Sequence, residues 1–471
     1  MPAPLLAALL LSAAPAASTS ALRAVPNTMR VDYVHTGDAS GERFGLDRVV
    51  LEPLPWPGRP DRPLDDTGLG KYQVEVRDLA TGRALYSRGF ASVYGEWETT
   101  DEARRLQRAF QESVRFPAPD APVQVVLRKR DPRGGWREVW SVPVDPADRA
   151  ITTARPASPG PVVELLKSGD PQQKVDLLLL GDGYTAAERG KFEKDARRLL
   201  AALFDKEPFR SRKADFNVWG IAPPAELSGV SRPLTGVSRW SRIGATYDAF
   251  GSERYVLSFE ERSLREVASF APYDFLAIVV NGNTYGGGGI YGLYTTVAAD
   301  SAWASYIFVH ELGHSLGGLG DEYFTSEAAY LPAGDAKPEP WEPNLTADPK
   351  AAKWASLVSP GVALPSPWPK DEFTRRSKEI QAQRRKIRAD NRPEAEMDAL
   401  FSQQKKEETA LLGGAPLAGK VGAFEGANYE ASGYYRPQID CVMFSRNEVP
   451  FCPVCQRSLG RVIDLYAAPR R

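Results

Sequence analysis

The sequence predicts an α+β protein that begins with an antiparallel β-sandwich and continues into a mixed α/β domain with a helical insertion. Three observations support this fold class. Short runs of alternating apolar and polar residues fill 28–146, nearly continuous apolar runs alternate with helix-like stretches from 161 onward, and a charged segment lies within 325–425. The 471 residues are enough for two or three domains. Since 59 Lys and Arg residues balance 60 Asp and Glu residues, no charge excess favours a nucleic acid or a membrane surface as partner.

The first 20 residues have the composition of a cleaved export signal. Residues 5–17 are a run of Leu and Ala broken only by Ser12 and Pro15, and small residues at 14–18 suit a signal peptidase. No Lys or Arg precedes the run, so a disordered Ala-rich leader is the alternative. No other stretch reaches the ~18 to 20 apolar residues that span a bilayer. We therefore expect a secreted or periplasmic protein without a membrane span.

Residues 28–146 carry the pattern of short β-strands. The runs 29–34, 72–76 and 123–127 alternate apolar and polar residues, and Gly, Pro and Asp separate such runs. This pattern favours an antiparallel β-sandwich. Clusters of Pro and Ala at 146–161 then indicate a linker to a second domain at 161–471.

The second domain has longer apolar runs. Residues 175–180 and 275–280 predict buried strands, and 186–204 carries apolar residues on one helical face. Strands that alternate with helices favour a mixed or parallel sheet covered by helices. The glycine-rich stretch 285–292 has few side chains, so its backbone either approaches another chain closely or forms a mobile loop.

Residues 325–425 form a long insertion in this domain. Its first part is rich in Pro and Trp, and 370–409 is crowded with charged residues around sparse apolar ones. The segment is broken at Pro393. It predicts two exposed helices that pack on each other or over a cleft.

The strongest motif is the His-Glu-Leu-Gly-His sequence at 310–314. On a helix, His310 and His314 lie on one face and can reach the same zinc ion, while Glu311 flanks it. The apolar residues of the opposite stripe would bury the helix: Phe308, Leu312, Leu316 and Leu319. The motif therefore predicts a metal site that faces a cleft.

A catalytic zinc ion takes three protein ligands and keeps a fourth position for water. The only other histidine is His35, which we expect to be a surface or turn residue. Three glycines between 317 and 320 allow the chain to turn back after the helix, so a carboxylate beyond them is the expected third ligand. Asp321 is favoured, with Glu322 and Glu327 as alternatives.

The predicted chemistry is hydrolysis of a peptide bond by a zinc-activated water, with one catalytic Zn²⁺ ion. Glu311 lies beside the ion and would act as general base. The developing oxyanion needs a second donor, for which Tyr434 and Tyr435 are candidates.

All three cysteines lie near the C-terminus, at 441, 452 and 455. In an oxidising compartment they allow at most one intramolecular disulfide and leave one thiol over. A zinc knuckle would need a fourth ligand, and no histidine lies nearby in the sequence. We therefore favour a disulfide that staples the C-terminal segment, without assigning which cysteines pair.

The run HELGHSLGGLGDEY at 310–323 resembles the extended zinc signature of the bacterial IgA-peptidase family of zinc metallopeptidases. Further segments resemble the same family. They are 181–185, 343–346, 435–437, 441–443 and 451–455, while 28–146, including Tyr-Gly-Glu-Trp at 94–97, resembles its N-terminal β-domain.

This resemblance implies that the second domain is a zincin with metzincin-like features. It implies an edge strand around 286–296 that aligns a peptide substrate, and Met443 beneath the zinc ligands. Gly320 occupies the place where a metzincin has a third His, which agrees with a carboxylate ligand at Asp321. The family name does not transfer a substrate.

Together these features predict an exported zinc endopeptidase that acts on proteins or peptides. One alternative is a secreted binding or adhesion protein with a structural zinc ion, whose fourth position would be closed by protein and would not need Glu311. Another is a zinc peptidoglycan amidase, which shares the same chemistry.

Overall fold

The computed structural model describes residues 25–326 and 337–469. The expected export signal lies outside these residues. The described strands are β1 (Asn27–Asp38), β2 (Gly41–Pro55), β3 (Tyr72–Asp78), β4 (Ala84–Phe90), β5 (Arg108–Pro117), β6 (Val123–Arg130), β7 (Trp136–Val144), β8 (Val163–Leu166), β9 (Val175–Asp182), β10 (Phe216–Ile221), β11 (Ala245–Thr246), β12 (Leu257–Ser258), β13 (Phe275–Val280), β14 (Gly287–Ile290), β15 (Tyr294–Ala298), β16 (Phe424–Ala427) and β17 (Glu430–Arg436). The described α-helices are α1 (Val93–Trp97), α2 (Arg189–Phe204), α3 (Phe209–Arg212), α4 (Glu261–Ala268), α5 (Ala304–Gly317), α6 (Lys370–Ala389), α7 (Glu394–Gly413) and α8 (Pro453–Tyr466).

The N-terminal region is β-rich, as predicted. One antiparallel sheet has the order β2-β1-β5, and a second has the order β4-β3-β6-β7. Buried residues that alternate along these strands form one shared apolar core, which includes Val31, Val76, Phe116 and Val125. The predicted strands at 29–34, 72–76 and 123–127 lie within β1, β3 and β6.

The prediction for His35 was wrong, because this residue is buried in β1. Its Nδ1 atom lies 2.9 Å from Glu112 and its Nε2 atom 3.2 Å from Glu42, and its ring stacks on Tyr94. Burial alone would lower the pKa of His35, but Glu112 and Glu42 raise it overall. These partners lie on other strands or beyond a turn, so the sequence around His35 does not reveal them.

The second region is built on a six-stranded sheet with the order β14-β15-β13-β9-β10-β8. The four inner strands are parallel, and the edge strands β14 and β8 run antiparallel to their neighbours. Every residue of β9 is buried, as expected for a strand covered on both faces. Helix α5 packs against β14 and β15 and contacts α2 and α8, which places it beside the edge of the sheet.

The insertion contains the two predicted helices, α6 and α7, which pack on each other. Pro393 directly precedes α7, at the predicted break. Polar residues cover most of both helices, and each buries a short apolar stripe through residues such as Phe373 and Phe401. In the part of the chain that the structure describes, no helix has the length and apolar character needed to cross a membrane.

Candidate metal centre and active site

Helix α5 positions the HELGH motif. Its apolar stripe is fully buried, with Phe308, Leu312 and Leu316 inaccessible to solvent. The helix ends at Gly317, and the next residue, Gly318, has a φ of 61° in the left-handed region. Glycine takes this conformation without the steric cost that a Cβ would add. The chain therefore reverses directly after the motif, as the glycines at 317–320 predicted.

The glycine-rich stretch 285–292 forms the edge strand β14, which lies against α5. A Cβ atom at Gly289 would lie 2.3 Å from the carbonyl oxygen of Glu311 and 2.9 Å from the Cβ atom of His314. Only glycine permits such a close approach of strand and helix. The sequence left open whether this stretch approaches another segment closely or forms a mobile loop. The structure shows a close approach, to the helix that carries the HELGH motif.

His310, His314 and Asp321 meet at one point beyond the turn. Their ligand atoms lie within 4.8 Å of one another. The Nε2 atoms of the two histidines are 3.2 Å apart, and each lies 3.1 to 3.2 Å from Oδ1 of Asp321. A tetrahedral ion with metal–donor distances of ~2.0 to 2.1 Å separates its donors by about 3.3 Å. The spacing of these three donors therefore fits a bound zinc ion.

The second nitrogen of each imidazole fixes the orientation of the ring. Nδ1 of His310 lies 2.9 Å from the carbonyl oxygen of Val442, and Nδ1 of His314 lies 2.5 Å from that of Leu319. A carbonyl oxygen can only accept, so each Nδ1 carries a hydrogen, and Nε2 is the nitrogen whose lone pair a metal ion would bind in place of a proton. Two lone pairs and a carboxylate oxygen that converge at this distance are suited to a cation between them.

Asp321 and His314 shift each other's pKa toward the charged forms. Burial alone would lower the pKa of His314, but Asp321 outweighs it and raises this pKa to about 9. Burial alone would raise the pKa of Asp321, but the two histidines hold it well below its usual range. The carboxylate of Asp321 is therefore charged at neutral pH, which is the form that binds a metal.

Glu311 lies beside the centre and lines a cavity of about 30 Å³. Burial raises the pKa of Glu311, and the neighbouring histidines act in the opposite direction. Arg254 and Tyr323 line the same cavity, and their side chains lie 3.3 to 3.4 Å apart. Helices α6 and α7 contribute to the wall through Phe373, Ser377, Gln381, Gln404 and Glu408. The insertion thus closes one side of the cavity that contains Glu311.

The sequence prediction missed Tyr429. The turn between β16 and β17 places Asn428 and Tyr429 in the left-handed region, with φ of 53° and 63°. Their backbone N–H groups donate to the carbonyl oxygens of Asp321 and Tyr323 at 2.9 and 3.0 Å, and the hydroxyl of Tyr429 donates to Oδ2 of Asp321. A bulky residue in this conformation is an outlier that often marks a functional constraint. Asn followed by Tyr between two short strands is a weak turn signal, and it does not indicate that Tyr429 contacts Asp321.

The other sequence candidates lie elsewhere. The hydroxyl of Tyr434 donates to the carbonyl oxygen of Pro338 at 3.1 Å, and Tyr435 lies opposite Glu425 in the β16–β17 hairpin. Neither lines the cavity beside Glu311. The side chain of Glu322 joins the three cysteines instead of the histidines, and Glu327 lies outside the described residues.

Met443 packs against helix α5. It is fully buried, and a Cβ atom at Gly313 would lie 2.8 Å from its sulfur. Gly313 lies between the two histidines of the motif, and the residue before Met443 supplies the carbonyl oxygen that holds His310. The segment around Met443 therefore contacts the helix between the two histidines and orients the ring of His310.

Two family models match the chain. The model described as IgA Peptidase M64 matches residues 163–463, more than half of the chain. The model described as Peptidase M64 N-terminus matches residues 23–141. No curated protein matches the chain.

Proposed function

The chain belongs to the IgA peptidase M64 family of metallopeptidases, and from this premise we propose that it is an exported zinc-dependent endopeptidase. Membership of a peptidase family makes a protein or a peptide the substrate class. It does not make an immunoglobulin the substrate, because members of one family act on different substrates. The proposed export rests on the composition of the first 20 residues.

In the proposed centre, His310, His314 and Asp321 would hold one zinc ion, and the bound ion would lower the pKa of water and polarise the scissile carbonyl group. The observation that carries this proposal is the convergence of the two Nε2 atoms and one carboxylate oxygen at 3.1 to 3.2 Å. The donor set leaves room for water, because the described residues bring three donors to this point and not four.

Glu311 is the proposed general base. It lies next to His310 in the sequence and lines the cavity rather than joining the three donors. Its carboxylate takes the proton of water and passes it to the leaving amine. The raised pKa of Glu311 favours the first step, because a carboxylate with a higher pKa is a stronger base toward the proton of water.

Arg254 and Tyr323 are the proposed donors to the developing oxyanion. Both line the cavity with Glu311, and their side chains contact each other. They replace Tyr434 and Tyr435 in this role, because the latter pair does not line the cavity.

Strand β14 is the proposed site of peptide alignment, in a catalytic domain of the zincin type. The N–H and C=O groups of Gly287 pair with residues 254 and 256, on the side away from β15. Polar groups on a strand alternate in direction, so those of Gly289, the half-buried residue of this strand, point to the same side beyond residues 254–256. A substrate backbone can pair with Gly289 there and lie across the centre on α5.

We propose a division of the chain into a β-sandwich domain at 28–146 and a catalytic domain at 161–471, with an insertion at 325–425. The two separate family matches support this division. The family match also favours a peptidase over the alternative of a secreted binding protein with a structural zinc ion.

The test is the variant Glu311→Gln, with Glu138→Gln on an exposed position of β7 as the matched control. We expect Glu311→Gln to retain one catalytic zinc ion and to lose peptide cleavage by about 10²- to 10⁴-fold, the usual contribution of a general base. Cleavage would be followed by mass spectrometry of peptides from a proteome digest. Unchanged cleavage by Glu311→Gln would refute the role of Glu311 as general base. A native protein that cleaves cell-wall peptides but not casein would favour the amidase alternative.

A further inference from the structure

A second group of side chains that could bind a metal ion lies outside the first centre. It consists of Glu322, Cys441, Cys452 and Cys455, all buried, with their ligand atoms within 4.8 Å of one another. The sulfur atoms of Cys441 and Cys455 are 3.9 Å apart, and the sulfur of Cys455 lies 3.3 Å from Oε1 of Glu322. The sequence lacked a fourth ligand for these cysteines, and the fold supplies one from a segment more than 100 residues away in the chain.

These distances fit one ion better than a disulfide. Zinc binds cysteine sulfur at ~2.3 Å and carboxylate oxygen at ~2.0 to 2.2 Å, so a tetrahedral site separates two sulfurs by about 3.8 Å and a sulfur from an oxygen by about 3.5 Å. A disulfide joins its sulfurs at ~2.05 Å. All three cysteines are free in the structure.

An unpartnered oxygen independently indicates a ligand. Oε2 of Glu322 is buried and has no hydrogen-bond partner among the described residues, while Oε1 accepts from the side chain of Asn344 at 3.0 Å. A buried carboxylate oxygen without a partner is costly unless a cation or a donor reaches it. An ion held by the three sulfurs would satisfy this carboxylate.

Backbone donors and a guanidinium lie close to these side chains. The backbone N–H of Cys452 donates to the sulfur of Cys441 at 3.3 Å, and the N–H of Cys455 donates to the sulfur of Cys452 at 3.4 Å. Such bonds stabilise negative charge on sulfur. The fully buried guanidinium of Arg436 interacts electrostatically with Glu322 and Cys441 and offsets part of the negative charge.

We propose that Glu322, Cys441, Cys452 and Cys455 bind a second zinc ion in a closed structural site. Three thiolates and one carboxylate favour zinc over Mg²⁺ or Ca²⁺, which prefer oxygen donors only. Four protein donors leave no position for substrate water, so this site differs in kind from the proposed catalytic centre.

The second site would stabilise the first through the chain itself. Glu322 directly follows Asp321, and Cys441 precedes Val442, whose carbonyl oxygen holds His310. Cys452 and Cys455 lie at the start of α8, which contacts α5. An ion bound by these side chains would thus fix three segments that support the catalytic donors.

The test measures bound zinc in the full-length protein and in the double variant His310→Ala/His314→Ala. We expect about two zinc ions per chain in the native protein and about one in the double variant. X-ray absorption of the zinc in the double variant should show sulfur neighbours at about 2.3 Å. Co²⁺ in the same variant should give a thiolate charge-transfer absorption.

The outcomes separate this proposal from the proposed function. About one zinc ion in the native protein and none in the double variant would overturn the second site and leave the catalytic one. About one in both would leave the second site and refute the first. A disulfide among these cysteines, detected by mass spectrometry without reduction, would also overturn the second site.

Individual ligands are tested by Cys452→Ser and Glu322→Gln, with Ser458→Ala as the matched control on α8. Ser458 is buried near this site and bonds the carbonyl oxygen of Gly317, but it offers no donor to the group. We expect each ligand variant to lose about one zinc ion and the control to lose none. If the ligand variants do not fold, the zinc content of the native protein and the double variant still decides the question.

Discussion

Replacing Tyr429 by phenylalanine should weaken the catalytic metal site. The hydroxyl of Tyr429 donates to Oδ2 of Asp321, while Oδ1 faces the two imidazoles. Burial raises the pKa of Tyr429 well above its usual value, and Asp321 raises it further, so the hydroxyl remains a donor at neutral pH. A hydrogen bond to a charged group contributes about 1.5 to 3 kcal/mol. At 1.4 kcal/mol per factor of ten, this corresponds to a loss of about 10- to 100-fold in zinc affinity.

The assay for Tyr429→Phe is competition for zinc with a chelator of known affinity, together with kcat/KM on a peptide substrate. Tyr434→Phe is the matched control, because its hydroxyl bonds the carbonyl oxygen of Pro338 away from the centre. We expect the control to bind zinc as tightly as the native protein. The reasoning is refuted if Tyr429→Phe keeps its zinc affinity within about twofold, or if both variants lose affinity equally.

Two further predictions concern the packing of the centre and the N-terminal domain. Gly289→Ala should lower both the melting temperature and the activity, because the added Cβ would lie 2.3 Å from the carbonyl oxygen of Glu311. Gly190→Ala is the control: a Cβ at Gly190 has no neighbouring atom within 4 Å, so neither the melting temperature nor the activity should fall. Thermal unfolding and peptide cleavage measure the two effects. The pKa of His35 is raised in the folded state by Glu112 and Glu42. The ion pairs of His35 therefore stabilise the fold fully below the unfolded pKa of ~6.5. This stabilisation is lost as the pH rises through the higher folded pKa. The difference in unfolding free energy between native protein and His35→Gln, measured with denaturant, should therefore shrink as the pH rises above ~6.5, and a difference that grows with pH would contradict the assignment.

Local patterns in the sequence predicted the elements of this fold well. The alternating runs lie within β1, β3 and β6, the apolar run at 275–280 forms β13, and the charged segment around Pro393 forms α6 and α7. In each case the signal lies within one element, because burial on one face or on both faces sets the spacing of apolar residues. The helix α5 and its buried stripe were predicted in the same way.

Features that depend on distant contacts were not predictable. His35 is buried between carboxylates of β2 and β5, and Tyr429 reaches Asp321 from a hairpin more than 100 residues later in the chain. Nothing close to either residue in the sequence reveals these partners. The same limit applied to the cysteines, for which the fourth donor lies in the segment after α5.

The ambiguity between Asp321 and Glu322 has a structural explanation. Successive side chains of an extended segment point to opposite sides. In the segment after Gly318, Asp321 faces the histidines, Glu322 faces the cysteines, and Tyr323 returns to the side of His310, where the two rings lie 6.1 Å apart.

The two adjacent acidic residues therefore belong to two different groups of donors. Sequence spacing shows that a carboxylate returns after the turn, but the direction of the first side chain depends on how the turn at Gly318 ends. The backbone bonds from Asn428 and Tyr429 to this segment hold that direction. The hairpin of β16 and β17 therefore decides which acidic residue the histidines meet, and its removal should disturb both groups of donors together.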